Sequence, residues 1–304
     1  LIFGAFAQAV PDRMPSAPAG ATSIINMSAE DRRTGKRTIT AIAPIVGGAG
    51  DMPHRDGTDG SGADSAYLKN SPIEITESEA PVHILRYGLM PDTGGPGLHR
   101  GGMAQVLEFK STSPDAFVTA RNRDRSLFQP WAIMGGQHGR SGSFMLNPDG
   151  PNPVNLGNTD QVRLAPGDVL RVVSPSGAGR GDPALRDPEA VLRDWQAGRV
   201  SVEGAKADYG VIIIDGQIAH EQTEAARKTM AARQGFDPGP TRRAHEQRWT
   251  KEAYAVMHDL LKTIPVSWRA PIKKRLFAAV RSAPPSDPTI GVIEETFQTY
   301  MGKL

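Results

Sequence analysis

The stretch GGAGDMPHRDGTDGSG, from Gly47 to Gly62, sets Asp51, His54, Arg55, Asp56 and Asp59 among six glycines. Glycine lets the backbone take positive φ and approach a ligand closely, and successive N–H groups in such turns can form an anion-binding nest around Gly48 and Gly50. Arg55 could then grip a carboxylate or phosphate with two parallel hydrogen bonds. The aspartates could orient His54 or Arg55, or hold a cation. The same residues also read as a solvated, turn-rich connection in which each Asp caps its own turn.

A second glycine-rich stretch, TGGPGLHRGG at 93–102, offers Gly95, Gly97 and Arg100 for an anion, or simply a wide turn. Neither GxGxxG nor GxxxxGK[ST] occurs, so the chain carries no recognisable nucleotide motif of its own. A third stretch, SPSGAGRGDP at 174–183, has only Arg180 for such a role. The remaining histidines are scattered singly without an HExxH pair, which argues against a complete metal site within this chain. Ser61 and Ser65 lie near His54 in sequence, but the chain has no GxSxG and no cysteine, so nucleophilic catalysis has no signature here.

These loops must be held by something rigid. Through the first 185 positions, short β-branched runs alternate with glycine- and proline-rich turns, which predicts strands at Arg37–Ile45, Ile73–Ile75, His83–Leu89, Gln105–Phe109, Phe117–Ala120 and Val169–Val173. Pro166-Gly167 should turn the chain into the last of them. The texture changes near 186. Asp187 is a good N-cap with Pro188 at the first helical position, and Gly198 a natural stop. Ser201 opens a second short helix ending near Gly210, and Val211–Ile214 reads as a strand leading into an Asp215-Gly216 turn. Beyond Gln217 the chain reads as helical, with Trp249, Ala253, Val256, Met257, Leu260 and Ile264 on one apolar stripe. The expected class is α+β: a β-rich, glycine-looped body over residues 1–216, then a basic helical extension over 217–304.

Bulk properties narrow the function classes. The 304 residues carry 35 Lys and Arg against 33 Asp and Glu, giving no general case for a polyanionic partner. Between Ala225 and Ser282, however, thirteen basic residues face four acidic ones. The aromatics there (Trp249, Tyr254, Trp268, Phe277) share faces with Leu and Val, so a solvated or subunit-docking face is expected rather than a nucleic-acid surface. No membrane partner is expected, because no apolar run reaches the length of a span. The absence of cysteine fits a reducing, cytoplasmic setting. The chain opens on an apolar run without Met and without a basic leader, which suggests a processed, split or partial chain.

Taken in order, GGAGDMPHRDGTDG, NSPIE (70–74), LRYGLMPDTGGPGLHRGG (85–102), LAPGDVLRV (164–172), SGAGRGDP (176–183) and RDPEAVLRDWQAGRVSVEGAKADYGV (186–211) resemble the C-terminal half of hydantoinase B/oxoprolinase proteins. The opening FGAFAQAVPDRMPSAPAG is similar too, and the resemblance covers about residues 1–216. It implies a component of an ATP-dependent amidohydrolase. There a hydantoinase A-like partner binds ATP with Mg and phosphorylates a cyclic amide, and the B-type component completes hydrolysis. The alternatives are a subunit of an acetone- or acetophenone-type ketone carboxylase, or a non-catalytic structural subunit.

The family's HLPD-like and HHAD-like segments are not found, so a divalent metal would come from another chain or from the family's N-terminal half. On this resemblance Arg55, Asp56 and Asp59 are expected to line the reaction chamber, with His54 beside them. Gly48, Gly50, Gly95, Gly97 and Arg100 are expected to hold substrate or an anionic intermediate, and Asn70 and Glu74 to brace the loop or touch substrate. Residues 217–304 match nothing in the resemblance.

Overall fold

The structure, a computed structural model, describes residues 2–20, 22–30, 35–61, 71–121, 125–159 and 161–302. Two compact units divide the chain, residues 1–239 and 240–304.

In the first unit α1 (Ile2–Ala9) precedes β1 (Ser23–Glu30) and β2 (Arg37–Ile45). Then come α2 (Ile73–Glu79), β3 (Val82–Met90), β4 (Ala104–Ser111), β5 (Ala116–Arg121), β6 (Ser143–Leu146), β7 (Val154–Asn155), β8 (Gln161–Leu164) and β9 (Val169–Val173). They make two antiparallel sheets, ordered β2-β1-β5-β8 and β3-β4-β9-β6-β7. In β1, buried Ser23, Ile25, Met27 and Ala29 alternate with more exposed neighbours, the period-2 pattern of a strand with one face on a core. Central β4 is buried along nearly its whole length because strands flank it and both faces are covered. Ile25, Met27, Ile42 and Val118 from one sheet share a core with Leu107, Phe109, Phe144 and Leu170 from the other, so the sheets pack face to face.

The expected strand at Ile73–Ile75 is instead the start of α2. Three residues are too few to fix a period, and Ile73 and Ile75 lie exposed while Thr76 is buried, its hydroxyl donating to the Ile42 and Pro72 carbonyls. The Pro166-Gly167 turn forms as expected, with Gly167 at φ 92° between Ala165 and Asp168.

Past β9, α3 (Pro188–Gln196) is capped by Asp187 accepting from Glu189 N, and α4 (Val202–Tyr209) by Ser201 accepting from Gly204 N, with left-handed Gly210 closing it. The strand expected from Val211 is confined to β10 (Ile213–Ile214), which pairs with β11 (Gln217–Ile218) across Asp215-Gly216. Both turn residues have positive φ, the signature of a two-residue type I′ hairpin. Next comes α5 (His220–Thr229). The helical texture therefore begins well before the division between the compact units.

The second unit holds α6 (Pro240–Arg248), α7 (Lys251–Lys262), α8 (Val266–Ser282) and α9 (Thr289–Met301). Trp249, Ala253, Met257, Leu261 and Ile264 face Ile272, Leu276, Val280, Ile293 and Phe297 in its core. Trp249 and Phe277 pack with ring centroids 4.3 Å apart, while Lys273, Lys274 and Arg275 are exposed, Arg275 lying 4.3 Å over the Tyr300 ring. Among the described residues no helix is long and apolar enough to cross a membrane.

Candidate functional site

The glycine-rich loops interlock. Gly102 N donates to the Ala49 carbonyl at 2.8 Å, Gly177 N to Gly102 O at 2.8 Å, Gly95 N to Gly177 O at 2.9 Å and Gly101 N to Gly95 O at 2.9 Å. Three segments distant in sequence thus hydrogen-bond to one another, backbone against backbone. A Cβ on Gly48 would lie 1.9 Å from Gly102 O, on Gly50 1.9 Å from Ser16 O, on Gly95 2.6 Å from Gln137 O and on Gly97 2.6 Å from Arg180 N. These four glycines allow close backbone approach, and the amides of Gly48 and Gly95 already donate to carbonyls.

A buried network of charges locks this layer to α3. Arg100 reaches Asp59 at 3.0 Å and Asp194 at 3.2 Å, and Arg186 reaches both Asp56 oxygens at 2.7 Å and Asp194 at 2.7 Å. Arg199 closes the set onto Asp59 at 3.1 Å. Backbone amides add to it, Arg100 N donating to Asp56 and Met103 N to Asp59. Burial alone would raise Asp56 and Asp59, but the hydrogen bonds and charge of Arg186 and Arg100 outweigh it and hold both carboxyls below the ordinary range. Arg100 and Arg186, although burial works against their charge, are held protonated by the same pairs. His99 lies 4.0 Å from Asp56, and burial lowers it more than that carboxylate lifts it.

Asp56, Asp59 and Arg100 therefore converge, as partners of one another. Arg186, Asp194 and Arg199 complete the group and went unread in the sequence, where 186–199 reads as an ordinary capped helix and its flanks. Arg180 donates to the Met14 and Pro11 carbonyls at 2.6 and 2.7 Å, which commits it to the chain rather than to an anion.

His54 and Arg55 sit apart from the network, on a tight turn closed by reciprocal Met52–Arg55 backbone bonds. Both are exposed, and the Arg55 guanidinium has no hydrogen bond or ion pair among the described residues. Arg55 and Asp56 line a cleft of about 630 Å³ together with Arg13, Ser16, Thr58 and Ser61. Behind its wall Asp51 is wholly buried: Oδ1 accepts from Ser16 N at 3.2 Å, while Oδ2 has no partner within hydrogen-bond reach and lies 4.0 Å from Arg180 Nε. Burial pushes this carboxyl up to about 7, the Ser16 bond and Arg180 charge opposing it only in part. Glu74 is exposed on α2, and Asn70 and Ser65 lie outside the described residues. Among the described residues no three His, Asp or Glu side chains gather as metal ligands would.

Residues 1–183 match the family model for hydantoinase B/oxoprolinase. The B-type subunit of a putative D-/L-hydantoinase from a Pseudomonas species is 31% identical over 227 residues, 74% of this chain and 37% of its own. The caprolactamase beta subunit of Pseudomonas jessenii is 33% identical over 238 residues, 73% of this chain and 40% of its own. This chain thus spans about two fifths of the length of these relatives. The crystal structure of the ATP-dependent caprolactamase from P. jessenii matches with a TM-score of 0.62 at 30% identity, over 74% of this chain and 40% of that one. A nucleotide-free acetone carboxylase structure matches in fold, with a TM-score of 0.58 at 17% identity over 99% of this chain and 42% of that one. That coverage gives the 240–304 helices a counterpart in fold, which the sequence resemblance lacked.

Proposed function

The chain belongs to the hydantoinase B/oxoprolinase family, and on that premise we propose that it is part of the B-type component of an ATP-dependent cyclic-amide hydrolase. A hydantoinase A-like partner binds ATP with Mg and transfers phosphate to the amide oxygen, which makes the ring carbon open to attack by water. A segment carrying the family's N-terminal half contributes any divalent metal. This chain's own part is positioning and charge.

The observation that carries the reading is the free Arg55 guanidinium on the wall of the 630 Å³ cleft, inside the family-matched region. An exposed arginine without a side-chain partner among the described residues, on a tight turn, suits the phosphate of an activated substrate. Asp56, Asp59 and Arg100 act on this reading as positioning residues that fix the turn. Asp51 braces the cleft wall from behind by accepting from Ser16 N. His54 stands exposed next to Arg55 on the same turn.

The test is co-purification with the partner, followed by ATP hydrolysis in the presence of lactams, hydantoins or ketones. Stimulation by a lactam or hydantoin is expected, and stimulation by neither overturns the reading. Ketone carboxylation is the second reading, favoured by the reach of the acetone carboxylase fold over 99% of the chain against 74% for the caprolactamase. It predicts ATP hydrolysis that requires both a ketone and bicarbonate.

A further inference from the structure

A second cleft of about 340 Å³ opens beside the glycine layer, away from Arg55, and contains His138, Arg140 and Asp208. Its volume falls at the lower end of small-molecule sites, roughly 300–1,000 Å³.

Two of its polar side chains, His138 and Arg140, are held in place by neighbours. His138 is clamped by Asp237, whose Oδ2 accepts from both the backbone N at 3.1 Å and ring Nδ1 at 2.8 Å. Asp237 is itself pinned by paired backbone bonds with Ala132 and by Gly239 N on Oδ1. A carboxylate on Nδ1 selects the tautomer protonated there, which leaves Nε2 an acceptor; that nitrogen has no partner among the described residues. Arg140 is anchored through its backbone N to Ser176 Oγ at 2.7 Å and through Nε to the Asp92 carbonyl at 3.3 Å, with both Nη groups unbonded among the described residues.

Asp208 sits in the last turn of α4, where the helix field disfavours an anion. It makes no hydrogen bond or close ion pair among the described residues, and burial raises its pKa against the pull of Arg140 and Arg233, with Asp92 raising it further. Asp92 also lines the cleft, and its Oδ1 accepts from Ser201 N at 2.8 Å. Asp208 thus shares one small cavity with a guanidinium whose Nη groups are unbonded among the described residues.

We propose that this cleft is a binding site for a small zwitterionic amino acid, with the ligand carboxylate on Arg140 and its ammonium shared between Asp208 and His138 Nε2. A bound ammonium would give Asp208 the close ion pair that it does not make among the described residues. Combined with the functional reading above, on which this extension of the ligand's identity rests, the natural ligand class is the ω-amino acid released when a lactam ring opens.

The probe is 5-aminopentanoate, titrated calorimetrically into the complex of full-length protein and partner, with pentanoate and pentylamine as half-ligands. The zwitterion should bind at least about tenfold more tightly than either half-ligand. Arg140→Ala and Asp208→Asn should each weaken it by about tenfold or more, and His138→Ala by less. Asp208→Asn removes an anion from a helix C-terminus, so its thermal stability should hold or rise while binding falls, which a merely structural Asp208 would not produce. No binding by the wild type, or equal binding by the Arg140 and Asp208 variants, overturns the site. If lactam-dependent ATP hydrolysis persists while 5-aminopentanoate fails to bind, the site falls and the functional reading stands. If the amino acid binds through Arg140 and Asp208 but no lactam or hydantoin stimulates hydrolysis, the site stands as an amino-acid site and the functional reading falls.

Discussion

The glycine layer and the helical unit at 240–304 are stabilised by opposite means. In the layer, backbones touch directly and charges pair in the interior, so each atom is specified by its neighbours and no side chain can be added. In the helical unit, Leu276, Ile272 and Phe297 fill a core by shape and volume, and Lys273, Lys274 and Arg275 lie exposed. The contrast teaches where a glycine is structural. A repeated glycine in a loop can mark the contact of one backbone with another as readily as a cradle for a ligand.

Four substitutions separate the two regimes. Gly177→Ala puts a Cβ 1.7 Å from the Ala49 carbonyl, and should either abolish soluble expression or destabilise the first unit by more than about 3 kcal/mol in urea unfolding. Asp194→Ala leaves Arg100 and Arg186 short of a buried counter-charge, for an expected loss of about 3–5 kcal/mol. Leu276→Ala opens a cavity in the helical core at about 2–4 kcal/mol, and hydrogen exchange should speed up in 240–304 while the glycine layer keeps its protection. By contrast, Gly88→Ala, where an added Cβ meets nothing within 4 Å, should change stability by no more than about 0.5 kcal/mol. If Gly177→Ala were as mild as Gly88→Ala, the contrast between the regions would collapse.

Asp51 sharpens the comparison from within the layer, because it is a buried carboxylate whose cation, Arg180, stays 4.0 Å away without a hydrogen bond. Its folded pKa, about 7, lies above the ordinary 3.8, so its stabilising contribution is full below 3.8 and is lost as pH rises through 7. Asp51→Asn should therefore flatten the fall in unfolding free energy across that window by on the order of 1–3 kcal/mol. An identical pH slope in both proteins would assign the effect elsewhere.

Much of the fold was legible because β-branched runs and caps act locally. Arg37–Ile45 and Val169–Val173 are strands with the bounds read from sequence, and Asp187, Ser201 and Gly210 cap and stop helices as their types require. Strand β1 escaped because Ser and Asn interrupt its apolar alternation. The charge network escaped for another reason: Asp56 and Arg186 lie 130 positions apart, and no local pattern reports such a pairing. The glycines carried one available signal. They recur in three separate loops, and in the two later loops only one or two cationic side chains accompany them, a poor ligand set but an adequate interlock.

The most direct test of the central claim is substrate turnover by the assembled complex with Arg55→Ala. The Arg55 guanidinium makes no hydrogen bond or ion pair among the described residues, so assembly and melting temperature should match wild type while turnover falls on the order of a hundredfold or more. Turnover near wild type in a normally assembled complex would contradict a catalytic role for this cleft.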